Sequence, residues 1–234
     1  MMSGGVRKGF MANLAVAVSV AAYGSILGVL AAQKQITWVA LLAMNLSVFA
    51  GAAQFVMVDL WLPPLPIAEI TLAVLVINFR YLLIGASLQP LFEGKSLVHK
   101  VLMMHLVADE NWAMTMAERR QGGASTHFLF GGGLCVLLAW CLGTLAGHSL
   151  GAVVQNPEAY GLDFVFVAVF TALVTTLWRG QQDLTPWLVA AATAILCQQL
   201  LPGKWYIVLG GIGGALVPAC FPSKGAGDPE AKPA

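Results

Sequence analysis

Residues 10–32 contain no charged side chain, and a stretch like that fits few folds. About 20 apolar residues cross a bilayer as a helix, whereas helices of soluble domains average about 11 to 12 residues. Similar runs recur over residues 36–60, 67–91, 128–154, 162–178, 186–201 and 205–221, joined by short connections. With 59% of its 234 residues apolar and 10% charged, against about 25% charged in soluble domains, the chain reads as all-α. The expected architecture is a polytopic membrane helical bundle of seven or eight spans. One transmembrane domain covers residues 1–222, and the polar tail, residues 223–234, is expected to be disordered.

This composition excludes several functions. Nearly the whole chain is membrane-embedded, which leaves no room for a soluble catalytic domain. A net charge of +1 with no basic run longer than two residues argues against a nucleic-acid partner, since phosphate recognition needs clustered Lys and Arg. Cys135, Cys141, Cys197 and Cys220 all fall in predicted spans without CxxC spacing, so neither zinc nor a disulfide framework is indicated. No Walker or dinucleotide pattern follows a strand, and no His pair has metalloprotease spacing. Gly85-Ala86-Ser87-Leu88 invites comparison with an intramembrane serine protease but lacks the glycine that should follow the serine. No enzyme activity and no cofactor are expected. Arg7-Lys8 ahead of the first run resembles a signal peptide, but the run is too long and more spans follow, so it reads as a retained helix.

Residues 97–118 are ambiguous, because His99, Lys100, His105, Asp109 and Glu110 interrupt apolar residues that recur at helical spacing. If this segment does not cross, seven spans with an outside N-terminus put eight of the eleven Lys and Arg residues beyond the spans in the cytoplasm. If it crosses, eight spans with an inside N-terminus put seven there. Both place the C-terminus in the cytoplasm under the positive-inside bias. An internal repeat is also readable. Gly24-Ser25-Ile26-Leu27-Gly28 matches Gly143-Thr144-Leu145-Ala146-Gly147, and Phe49-Ala50-Gly51 matches Phe170-Thr171-Ala172, at offsets of 119 and 121. With seven spans the copies would run in opposite directions, the inverted repeat common in secondary transporters.

The polar groups at membrane depth are Asn45, Gln54, Asn78, Arg80, Asp109 and Glu110. Arg80 stays ionised, and near a bilayer centre its charge costs about 2.5 to 3.5 kcal/mol on insertion scales. It needs an anion. Asp109 and Glu110 are the protein candidates, with Glu69 too far along the same helix, and a substrate carboxylate is the other. A structural ion pair or a snorkelling side chain is the bland reading. Asn78 and Gln54 add uncharged donors and acceptors, and Gly51 marks backbone that a ligand could approach. His105, Asp109 and Glu110 lie on neighbouring turns of any helix through their segment, and such groups can relay protons.

In their order these motifs resemble the AzlC family of branched-chain amino-acid exporters. Phe49-Ala50-Gly51-Ala52-Ala53-Gln54-Phe55 matches the family's FAGAAQF block. Asn78-Phe79-Arg80-Tyr81, with Gly85-Ala86-Ser87-Leu88-Gln89-Pro90 after it, resembles its N-x-R-[HY] block. Asp109-Glu110 stands where the family has an acidic pair, and Gly161-Leu162-Asp163-Phe164 resembles the entry to a later span. Val20-Ala21-Ala22-Tyr23-Gly24 departs from the family's proline-bearing first span. The resemblance implies a proton-coupled permease of the bacterial inner membrane. It would export leucine, isoleucine, valine and methionine together with a small membrane subunit of the AzlD type. Arg80, Asn78, Gln54 and Gly51 would then bind substrate, while Asp109 and Glu110 carry the coupling proton. The alternatives left open are a non-transporting complex subunit and a small-solute channel.

Overall fold

The structure is a computed structural model and describes residues 2–151, 171, 175, 180–201 and 205–220. Apart from residues 171 and 175, the expected span at 162–178 lies outside the described residues, as do the Gly161–Phe164 match, Phe170 and Ala172 of the repeat, and the polar tail. Among the described residues all regular structure is helical. In chain order the helices are α1 (Met2–Ala12), α2 (Leu14–Gln33), α3 (Trp38–Ser47), α4 (Gly51–Asp59), α5 (Ile67–Asn78), α6 (Arg80–Leu88), α7 (Leu97–His105), α8 (Asp109–Arg120), α9 (Thr126–Gly151), α10 (Leu184–Leu200) and α11 (Trp205–Cys220). The stretches Leu14–Gln33, Ile67–Phe92 and Thr126–Gly151 are long and apolar enough to cross a membrane. The chain packs as two units, residues 1–66 with 77–165, and residues 67–76 with 166–234. In the second, α10 and α11 pack through small residues, with Gly210 and Gly214 against Ala190 and Ala194.

In the first unit α9 is the central post. Between α1 and α2, the fully buried Asn13 bonds through Nδ2 to the Gly9 carbonyl at 2.9 Å, so the two helices form one nearly continuous rod. That rod lies along α9 at backbone contact. A Cβ on Gly28 would fall inside the Thr144 carbonyl, and one on Gly147 inside the Ser25 carbonyl. Small residues permit this approach, and in lipid close packing replaces the hydrophobic drive as the force between helices. The register also fixes direction. Gly9 meets Phe128, Gly28 meets Thr144 and Gly151 meets Val29, so residue numbers rise together and the helices run parallel. The matched segments at offset 119 therefore sit side by side in the same direction and are not related by inversion.

The expected single span over 36–60 is two helices, of 10 and 9 residues, interrupted at residues 48–50. Val48 and Ala50 leave helical geometry (φ/ψ −124/77 and −149/95). The pair turns back on itself. α3 starts beside the end of α2, where His148 Nε2 meets the Ile36 carbonyl at 2.7 Å, and α4 returns to the same place, where Lys34 Nζ donates to the Asp59 carbonyl at 3.2 Å. Apolarity alone cannot distinguish a 20-residue crossing from two 10-residue legs.

The ambiguous segment behaves similarly. α7 and α8 flank a break at residues 106–108, so His105 and the Asp109–Glu110 pair do not share one helix as expected. α6 runs beside α8 in the same direction, with Arg80 at Asp109 and Ser87 at both Trp112 and Arg119. An apolar cluster of Ile84, Leu88, Phe92, Val107 and Leu129 joins α6 and the α7–α8 break to α9. The end of α8 comes back to the start of α1 through the Glu118–Lys8 ion pair. Replacing Gly28 by valine should separate α2 from α9 at a cost of at least about 1 to 3 kcal/mol. This is measurable as a lower thermal unfolding midpoint in detergent, with Gly4→Ala, which meets open space, leaving the midpoint unchanged.

Candidate functional site

The polar residues singled out above gather at the turns of the two hairpins. At the α3–α4 turn, Gln54 is fully buried. Its Nε2 donates to the carbonyls of Met44 (3.1 Å) and Val48 (2.7 Å), one on either side of the end of α3, and its Oε1 accepts from Trp140 Nε1 at 2.6 Å. All of this amide's hydrogens and its oxygen are engaged within the protein. Asn45 Nδ2 reaches Thr144 Oγ1 at 2.7 Å, giving α3 a second polar tie to α9. Gly51 opens α4 under the Trp140 indole, where a Cβ would come within 3.1 Å of the ring. The Tyr23 ring packs on Phe55 and Trp140 with centroids 4.8 and 5.9 Å apart.

At the α7–α8 turn a second buried amide does the same work. Asn111 Oδ1 accepts from the Ala108 amide at 2.7 Å, and its Nδ2 donates to the carbonyls of Leu106 (3.0 Å) and, on α9, Leu129 (3.3 Å). Asp109 and Glu110 occupy the first turn of α8, where the positive end of the helix dipole favours carboxylates. Arg80 Nη1 meets Asp109 Oδ2 at 2.8 Å, and the side chains are 33% and 46% exposed. The Tyr81 ring lies 5.4 Å from the guanidinium carbon, a cation–π distance. Glu110 makes no ion pair among the described residues. The two turns touch where His105 Nε2 meets the Leu46 carbonyl at 2.8 Å.

Two groups on the Asn78–Arg80 stretch lack partners. Arg80 Nε, a donor, and Asn78 Oδ1, an acceptor, are buried without a hydrogen bond. An unmet buried polar group costs about 1 to 3 kcal/mol, so both are positions at which a ligand's polar atoms would be favoured. Arg80, Asp109 and Glu110 thus share one locality, and Asn78 precedes Arg80 by two residues. Gln54 and Gly51 shape the opposing turn, with Gln54 directed into the protein in this conformation. Sequence reasoning missed Trp140, Asn111 and Tyr23. Trp140 left a usable signal, because an indole in the middle of a glycine-rich span must find an acceptor for its N–H, and Gln54 was the polar residue at depth able to accept it.

The family described as AzlC protein matches residues 15–154. A Helicobacter pylori protein named only as an uncharacterized membrane protein is 25% identical over 188 residues, 80% of this chain and 81% of its own length. A Bacillus subtilis protein named branched-chain amino acid transport protein AzlC is 24% identical over 167 residues, 70% of this chain and 65% of its own length. No solved structure matches. Trp140→Phe keeps the ring but leaves Gln54 Oε1 buried and unmet, and should lower unfolding stability in detergent by about 1 to 3 kcal/mol without changing helix content by circular dichroism.

Proposed function

The chain belongs to the AzlC family, and from that premise we propose that it is the large subunit of a secondary transporter that exports neutral branched-chain amino acids across the bacterial cytoplasmic membrane. The observation that carries the reading is the Arg80–Asp109 pair with Arg80 Nε left over. An amino acid is a zwitterion, and this pair is its complement. The substrate carboxylate takes the Nε–Nη2 edge of the guanidinium, the side-on bidentate geometry that arginine favours, and draws Arg80 away from Asp109, which holds Nη1. Asp109, released, receives the substrate ammonium together with Asn78 Oδ1. Exchange of one set of charged contacts for another lets the charges stay compensated at a depth where a bare ion is expensive.

Glu110, next in the same helical turn and without an ion-pair partner among the described residues, is the group we assign to proton coupling. Gln54 and Gly51 enter as the wall and backbone of the opposing turn. A small membrane subunit of the AzlD type completes the transporter in this reading, and leucine, isoleucine, valine and methionine are its substrates. Counterflow of labelled leucine in proteoliposomes, with and without such a subunit, tests it, because counterflow requires a carrier and a channel does not produce it. Wild type should exchange, Arg80→Ala should lose at least about tenfold in rate, equivalent to about 1.4 kcal/mol, and Glu110→Gln should keep exchange while losing uptake driven by a pH gradient. No exchange by wild type in either preparation sinks the exporter reading, and normal exchange by Arg80→Ala sinks the site assignment alone.

A further inference from the structure

We infer that α3–α4 and α7–α8 are half-membrane hairpins inserted from opposite faces of the bilayer, and that α2–α4 and α5–α8 are two inverted copies of one unit, a crossing helix followed by such a hairpin. Length is the first argument. The legs of α3–α4 have 10 and 9 residues, about 15 and 14 Å at 1.5 Å per residue, half of a hydrocarbon core of about 30 Å. Placement is the second. The feet of α3–α4 stand where α2 and α9 end, at Lys34, Ile36, Asp59 and His148. The feet of α7–α8 stand where α1 begins, with Glu118 on Lys8 and Arg119 on the Ser87 carbonyl at 3.1 Å. The turns approach each other between these levels and meet at His105 and Leu46.

The two copies match in construction. Each hairpin starts with a hydroxyl cap, Thr37 accepting from Ala40 N and Ser96 from His99 N. Each breaks over three residues and resumes after an extended alanine, Ala50 or Ala108. A fully buried amide, Gln54 or Asn111, ties each break to α9. Tyr23 and Tyr81 in the crossing helices stand 58 residues apart, as do Ala50 and Ala108. The repeat is therefore inverted, but at half the offset expected from the glycine motifs.

Direction and charge agree. Parallel α2 and α9 need an odd number of crossings between them, and two returning hairpins leave one, the Ile67–Phe92 stretch. With that topology Arg7, Lys8, Lys95, Lys100, Arg119 and Arg120 share one face, and Lys34 alone of the Lys and Arg residues in 1–151 outside the spans is on the other. The positive-inside bias makes the six-residue face cytoplasmic, a sharper division than either all-crossing topology provides.

Seven or eight full crossings both put Lys34 and Lys95 on the same side, whereas opposed hairpins put them on opposite sides. The test treats intact cells expressing the unmodified chain with a membrane-impermeant amine reagent and reads lysine modification by mass spectrometry. Lys34 should be modified from outside, and Lys95 and Lys100 only after permeabilisation. Because Lys34 is tied to the Asp59 carbonyl, single cysteines at Gln35, Leu62 and Glu93, with the four native cysteines changed to alanine, provide an independent reading with an impermeant maleimide. Gln35→Cys and Leu62→Cys should label together from outside and Glu93→Cys only from inside. Lys34 and Lys95 labelling from the same face, or Gln35→Cys and Leu62→Cys from different faces, overturns the inference. None of these readouts requires transport, so this topology and the exporter reading stand or fall separately.

Discussion

Backbone that leaves helical geometry at membrane depth must find its hydrogen bonds inside the protein, because lipid supplies none. Much of this fold follows from meeting that requirement twice. Gln54 bonds the Val48 carbonyl at the first break, Asn111 bonds the Leu106 carbonyl and the Ala108 amide at the second, and both also reach α9. A post that serves two breaks has to be approached closely, and at the tightest contacts with the α1–α2 rod one partner is glycine, Gly131, Gly143 and Gly147 on α9 or Gly9 and Gly28 on the rod. Irregular backbone at depth is characteristic of transporter binding sites, and here it lies beside the residues with charge and unmet hydrogen bonds.

Arg80 shows how a charge is kept in such a place. Its guanidinium has Asp109 on one nitrogen and the Tyr81 ring nearby, and the carboxylate itself sits on the N-terminal turn of α8, where the helix dipole supports it. The compensation is local and incomplete, since Nε has no acceptor. A fully satisfied arginine would be a lock. One left with a free donor is, in the reading proposed above, where a substrate carboxylate docks.

Hydrophobic runs made the all-helical membrane class legible, and the solvent mismatch of Arg80 narrowed its ion-pair partner to two carboxylates, of which Asp109 is the one it meets. The hairpins were not legible in the same way. Residues 36–60 are apolar enough on average to read as one span, and hydropathy counts residues without sensing the three that leave the helix. The break is encoded by Gln54 and Asn111, whose role depends on Trp140 and Leu129 far along the chain. The repeat was sought where glycines matched, but glycine recurs for packing, so α2 and α9 look alike because they touch. The 58-residue relation rests on capping hydroxyls, alanines and tyrosines, too sparse a set to stand out before the backbone joined them.

The distance along the chain between the first hairpin and its tie has a consequence for synthesis. Gln54 precedes Trp140 by 86 residues, so at about 5 to 20 residues per second the wait for that indole is about 4 to 17 s. Through that interval Gln54 can reach the Met44 and Val48 carbonyls but has no indole to anchor its own oxygen. The hairpin is thus made early and completed late, and the helix that finishes it is the one whose insertion closes the whole unit.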